Sequence, residues 1–214
     1  MSSAIAENAV CPSIDDEEHP FGRDIELLFD RLLRIDGKAE IVDGKVVVMS
    51  PTGAWPNFVS GEIFISLRAY ARGVKRGRAF TDNVAFRVHL PHRDSFSPDA
   101  GYYIGPPAKM GPYQVAPIFA VEVRSYGDYG PRAERLLAEK REDYFACGTQ
   151  VVWDVDLRSV DLIKSYVAAN PDNPLVFRAG DIANAEPAVP GWSVNVSELM
   201  PEDWEPPTTN ATSK

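Results

Sequence analysis

The sequence predicts a mixed α/β domain in which a mixed sheet is flanked by helices. Three observations carry this. Apolar residues recur at helical spacing in separated stretches, valine-rich runs with β character fill the intervals, and neither an internal repeat nor a mid-chain linker divides residues 21–204. A chain of 214 residues is also long enough for one domain with a sizeable core.

The elements follow in order. Residues 1–20, "MSSAIAENAVCPSIDDEEHP", carry neither the basic nor the apolar segment of a signal peptide and read as a disordered lead. Residues 21–36 place Ile25, Leu28, Leu32 and Ile35 on one helical face. "AEIVDGKVVVMSP" (39–51) is two short strands around Asp43-Gly44, a strong hairpin signal. A second helix is expected over 57–72, with Phe58, Ile63, Leu67 and Tyr70 facing the core. "AFTDNVAFRVHL" (79–90) reads as one strand, "PHRDSFSP" as a loop, and "DAGYYIG" (99–105) as a strand. "IFAVEVRS" (118–125) reads as a central strand, apolar on both faces at its start. Pro131 suits a first helical turn and Gly148 a helix end, which bounds a third helix over 131–146. Two strands, "TQVVWDVD" and "SVDLIKSYVA", follow across a tight turn at Leu157-Arg158. Residues 170–195 read as loop with short β pieces, "SVNVSELM" as a short final helix, and 205–214 as a tail.

Composition excludes several function classes. The formal charge of −9 argues against a generic nucleic-acid coat, which would be basic. It leaves open an enzyme whose carboxylates hold a metal. No apolar run approaches a membrane span. Cys11 and Cys147 form neither a metal pair nor a disulfide framework, so a reducing cytoplasm is the expected compartment. There is no GxGxxG and no GxxxxGK[ST]. His89 and His92 lack a third zinc ligand in sequence and read as turn residues.

The chemistry concentrates in a few places. On "IFAVEVRS", Phe119, Val121 and Val123 share one face, while Ile118, Ala120, Glu122 and Arg124 share the other. That second face turns charged at the strand's C-terminal end, where open sheets place their ligands. A carboxylate there must be paired or bound to a cation. Arg124 is one partner for Glu122, and a divalent cation is another. Asp99 follows Pro98 at a strand mouth, as a turn former or as a co-ligand with Glu122. Lys140 falls on the apolar seam of the third helix, with Ala133, Leu136, Leu137 and Tyr144. It either snorkels from the seam's edge or aims inward at a carboxylate site. "LRAYARGVKRGR" (67–78) holds Arg68, Arg72, Lys75, Arg76 and Arg78 and no acid. It is a solvated helix end or a phosphate-contact patch.

The series "EIVDGKVVVMSPTG", "SFSPDAGYYIGPP", "APIFAVEVRS", "AEKREDYFACGTQVVWDVD" and "AEPAVPGW" resembles the bacterial Uma-two family of endonucleases, within the PD-(D/E)XK superfamily. The resemblance spans about residues 22–200. It implies a restriction-endonuclease-like core in which Asp99, Glu122 and the backbone carbonyl of Val123 hold Mg²⁺, with Mn²⁺ as a substitute. It gives Lys140 the lysine role and makes Glu40 a further acidic group. Two departures stand out. Arg124 occupies the position of the lysine in ExK, where arginine can hold phosphate but cannot act as a base. "AWPNF" follows "SPTG" without the histidine the family often has.

The expected activity is Mg²⁺-dependent hydrolysis of nucleic-acid phosphodiesters, with DNA as the expected substrate. Arg124, Arg72, Lys75 and Arg76 would contact substrate phosphate. A homodimer is expected, one centre for each strand. The alternative is a catalytically inactive binding module on the same fold, which the net acidity favours.

Overall fold

Asp43 and Gly44 both adopt positive φ, 49° and 60°. Such a two-residue turn matches the twist of the strands it joins. Ala39–Val42 (β1) and Lys45–Val48 (β2) therefore pair antiparallel, with Glu40 opposite Val47. The structure, a computed structural model, describes residues 25–207. The lead over 1–20, Cys11 and most of the C-terminal tail lie outside the described residues.

Ile25–Leu32 (α1) buries Leu28, Phe29 and Leu32 against Ala39 and Ile41 of the hairpin. Ala54–Val74 (α2) buries Val59, Ile63 and Leu67, one stripe at i, i+4 and i+8. Phe58, expected in that stripe, is exposed, and Val59 takes its place one position on. Expected as one strand, residues 79–90 form two. Arg78–Thr81 (β3) and Phe86–Leu90 (β4) are split at Asp82-Asn83, where Asn83 takes φ 62°, and they enter different sheets.

"PHRDSFSP", expected as a loop, contains Arg93–Phe96 (β5), every residue of which is buried. Hydrophobic patterning cannot show it, because its polar side chains are buried by pairing rather than by being apolar. Ala100–Tyr103 (β6), Phe119–Val123 (β7), Pro131–Ala146 (α3), Val151–Val155 (β8) and Ile163–Val167 (β9) follow. Asn170–Phe177 (β10) is a full-length strand where loop is expected. It lies at a sheet edge and is bulged, which accommodates Pro171 and Pro174. Ile182–Asn184 (β11) and Ser193–Asn195 (β12) form a ribbon, closed by a 3₁₀ turn over Val196–Leu199.

The strands form two main sheets, of order β2-β1-β5-β4 and β10-β9-β8-β7-β6-β3. Within the larger one β7 and β8 pair in parallel, with Glu122 beside Asp154, and α3 is the crossover between them. Its two faces divide as the alternation of β7 requires. Phe119, Val121 and Val123 pack toward α2, with Trp153 and Trp192. Ala120 packs on the opposite face with Val152, Phe96 and Tyr144. That second face is enclosed by α3 and the smaller sheet, and the charged end of β7 opens there.

Candidate active site

The side chains of five elements converge at the C-terminal end of β7. Glu122 comes from β7, Asp99 from the residue before β6, and Glu40 from β1. Arg93 comes from β5, and Lys140 and Tyr144 stand one turn apart on α3. The Lys140 ammonium lies 2.8 Å from Glu122 Oε1 and 2.9 Å from Glu40 Oε1. Its side chain is only 13% exposed, so it points into the site rather than snorkelling outward. The Tyr144 hydroxyl donates to the same Glu122 Oε1 at 2.6 Å, its ring stacked on Phe96.

Asp99 Oδ2 accepts the Val123 N–H at 2.7 Å, which clamps the aspartate to the strand carrying Glu122. Asp99 Oδ1 is paired with Lys38, whose ammonium also lies 2.8 Å from Asp82. Glu40 is buried, not the exposed strand residue that a hairpin start suggests. It accepts from Arg93 Nη1 at 2.5 Å and from the Ser97 N–H at 2.9 Å. Arg93 Nε in turn donates to Asp143 at 2.7 Å, and His92 Nε2 contacts the same carboxylate at 2.8 Å.

Environment separates the carboxyls. Burial pushes Glu122 up, Lys140 opposes this, and the charges of Asp99 and Glu40 add to it, so its pKa stands above the ordinary value. Burial also pushes Glu40 up, but Lys140 and Arg93 outweigh it and hold Glu40 below the ordinary value. Lys140 is raised despite burial, because Glu122 and Glu40 both favour its charge. Lys38 is raised in the same way, by Asp99 and Glu122. Both lysines are therefore fixed cations near neutral pH.

The donor set fits a hard divalent cation. Asp99 and Glu122 present carboxylate oxygens, and burial raises Glu122, with Lys140 opposing it and Asp99 adding to it. Among the described residues no group of three or more His, Cys, Asp or Glu closes a protein-only cage. Two carboxylates completed by water and substrate oxygens are what Mg²⁺ commonly takes.

The four expected phosphate contacts lie elsewhere. Arg124 donates through Nε and Nη2 to Asp154 at 2.7 Å each, and through both terminal nitrogens to Glu134. It pairs with neither Glu122 nor a free phosphate position. It ties β7, β8 and α3 together at the strand ends. Arg72, Lys75 and Arg76 are exposed around the C-terminal end of α2. They precede β3, whose Arg78 pairs with Tyr103 while Thr81 pairs with Ala100 beside Asp99. The basic segment therefore lies at the far end of the sheet, on its α2 side, as a solvated helix end.

A family model described as "Putative restriction endonuclease", Uma2, matches residues 28–197. The chain belongs to the Uma2 family. Among solved structures, one described as "a putative nuclease belonging to DUF820" from Anabaena variabilis ATCC 29413 shares the fold. Its TM-score is 0.62 at 17% identity, over 80% of this chain and 96% of that one. No curated protein matches. The Uma2 fold is restriction-endonuclease-like, and the family's description supports a nuclease-like function. No helix among the described residues is long and apolar enough to cross a membrane.

Several residues of this Uma2 site escape sequence reasoning. Lys38 shares a strand face with Glu40 two positions on, so alternation alone could have pointed it inward. Arg93, Asp143 and Asp82 carry no local signal, because each is defined by a partner far along the chain. Tyr144 reads as an apolar seam residue, yet its hydroxyl reaches Glu122.

The network also predicts a pH profile. Glu40 is lowered from 4.5, so it contributes stability above that pH and loses it as pH falls through the folded value. Lys38 and Lys140 are raised from 10.5, so they contribute below that pH and lose it as pH rises through their folded values. Thermal unfolding should show acid and alkaline losses on these two limbs. Glu40→Gln should flatten the acid limb; an unchanged limb would remove Glu40 from it.

Proposed function

We propose that this protein is a Mg²⁺-dependent endonuclease hydrolysing phosphodiester bonds of DNA. The observation that carries the reading is Lys140, held inward between Glu122 and Glu40 at 2.8 and 2.9 Å, with Asp99 clamped to the same strand by the Val123 N–H. Asp99, Glu122 and the Val123 carbonyl would hold the cation, with Mn²⁺ able to replace it. Such an ion, when bound, polarises the scissile phosphate and lowers the pKa of a coordinated water.

The chain's own residues supply the rest. Lys140 need not act as a base, because its carboxylate neighbours Glu122 and Glu40 favour its charged form. It instead presents fixed positive charge where charge develops on the phosphoryl oxygens, in a site where burial strengthens that interaction. Glu40 holds the Lys140 ammonium in place, and Arg93 holds Glu40. Tyr144 fixes the rotamer of Glu122. Lys38 bridges Asp99 and Asp82, so Asp99 can turn to another cation without leaving Lys38 unpaired.

One observation favours a second reading. Both lysines already neutralise carboxylates, as a structural ion cluster in an inert binding module would. A single assay separates the two. Supercoiled plasmid incubated with the protein should be nicked when Mg²⁺ or Mn²⁺ is present and left intact when the metal is chelated. If neither metal supports cleavage or raises the melting temperature, and Glu122→Ala behaves as wild type, the nuclease reading fails.

A further inference from the structure

Beyond the Glu122 end of β7 the surface opens into a cavity of about 420 Å³. Its walls are the first turn of α2, the loop after β7 and the turn after β8. Three rings stand in these walls. Tyr126 is 90% exposed and Trp55 40%, far more than packing would leave to rings of that size, and Tyr129 lines the same cavity. The Arg158 guanidinium sits 5.5 Å from the Tyr126 ring centre and 4.9 Å from that of Tyr129. The Arg124 guanidinium also lies 5.9 Å from the Tyr129 ring centre.

The rings are fastened by their edges. Tyr129 donates its hydroxyl to Asp156 at 2.9 Å, and Trp55 donates its indole N–H to Asp203 at 3.1 Å. The nearby acids are thereby committed. Asp156 also accepts the Arg158 N–H, and Asp128 accepts the Ser125 N–H. What the cavity offers a ligand is therefore flat aromatic surface with an exposed arginine beside it.

Flat π-surface with a guanidinium is the combination that takes an unpaired base and its phosphate. A paired base keeps both of its faces in the duplex and has none to offer. The cavity is also within reach of the cleavage centre. Tyr126 follows Glu122 by four residues, at most about 14 Å of chain. That is roughly four stacked nucleotides at about 3.4 Å each.

We infer that the Trp55–Tyr126–Arg158 cavity is a stacking subsite for an unpaired nucleobase, and that the substrate is single-stranded or locally unpaired DNA. The inference rests on the nuclease reading and names its substrate class. Its test uses the full chain with metal chelated, so binding is read without cleavage. The probe is a short single-stranded oligodeoxynucleotide carrying 2-aminopurine, set against its blunt duplex and against the same strand with abasic sites.

The single strand should bind more tightly than the duplex or the abasic strand, with 2-aminopurine fluorescence quenched on binding. Tyr126→Ala should weaken binding roughly 5- to 100-fold, the effect of losing one base stack. Tyr126→Phe keeps the ring and should bind as wild type does. Tyr126 is exposed enough that neither change threatens folding, and matched melting temperatures would establish this. Single strand and duplex bound equally, or Tyr126→Ala and Trp55→Ala both binding as wild type, would overturn the subsite and leave the groove to a protein partner. Because cleavage is not read, that result leaves the nuclease reading standing. Stacking without any metal-dependent cleavage would retire the nuclease reading and with it the substrate assignment, and would leave the cavity as a base-binding site.

Discussion

Lys140→Ala is expected to destabilise the fold by about 3–5 kcal/mol, the cost of removing one partner from a buried ion pair. Lys140 is the shared partner of two carboxylates, Glu122 and Glu40, at 2.8 and 2.9 Å. Without it two buried carboxylates lose their shared cation. Glu40 retains Arg93 and the Ser97 N–H, so the larger share of the loss falls on Glu122, which keeps only the Tyr144 hydroxyl. Urea unfolding at neutral pH measures the effect. Adding Glu122→Gln to Lys140→Ala should recover part of it, since the amide carries no charge to strand. A loss below about 1 kcal/mol, the range of exposed pairs, would mean that the cluster is hydrated and that burial does not govern it.

Glu122→Gln has the opposite character: a large effect on activity with little on stability. The side chain keeps its volume and can still accept from Tyr144. Burial disfavours the Glu122 charge while Lys140 favours it, and Lys140 keeps Glu40 as a partner, so losing that charge costs the fold less than losing Lys140. If Glu122 holds the metal, cleavage should fall at least 10²–10³-fold, roughly what one catalytic electrostatic group supplies. Single-turnover cleavage at saturating Mg²⁺, alongside a melting curve, separates the two quantities. Equal falls in cleavage and in folded fraction would make Glu122 a structural residue only.

Much of this architecture is legible in the amino-acid sequence. Asp43-Gly44 announces the hairpin because a turn with positive φ at both positions favours those residues. Pro131 and Gly148 bound α3, and the alternation along β7 separates its two faces. The structure brings together Asp99, Glu122, Lys140 and Glu40, which the family resemblance places in one site. What stays hidden is what only partners define. β5 is a strand of buried polar residues, and apolar periodicity cannot register a strand whose burial rests on Arg93–Glu40 and Arg93–Asp143. Lys38 and Asp143 likewise acquire their roles from residues far along the chain. The basic run of Arg72, Lys75 and Arg76 shows the converse limit. Its charge is real, but the topology carries it to the far end of the sheet.

Direct cation binding tests the central claim, that Asp99 and Glu122 form one hard-metal site. Mn²⁺ can be titrated into the protein and followed by electron paramagnetic resonance, which reads bound ion without reference to cleavage. Wild type should bind Mn²⁺ in competition with Mg²⁺, while Asp99→Asn and Glu122→Gln should each lose that site with the fold intact. Binding that is absent in wild type, or that survives both substitutions unchanged, would contradict it.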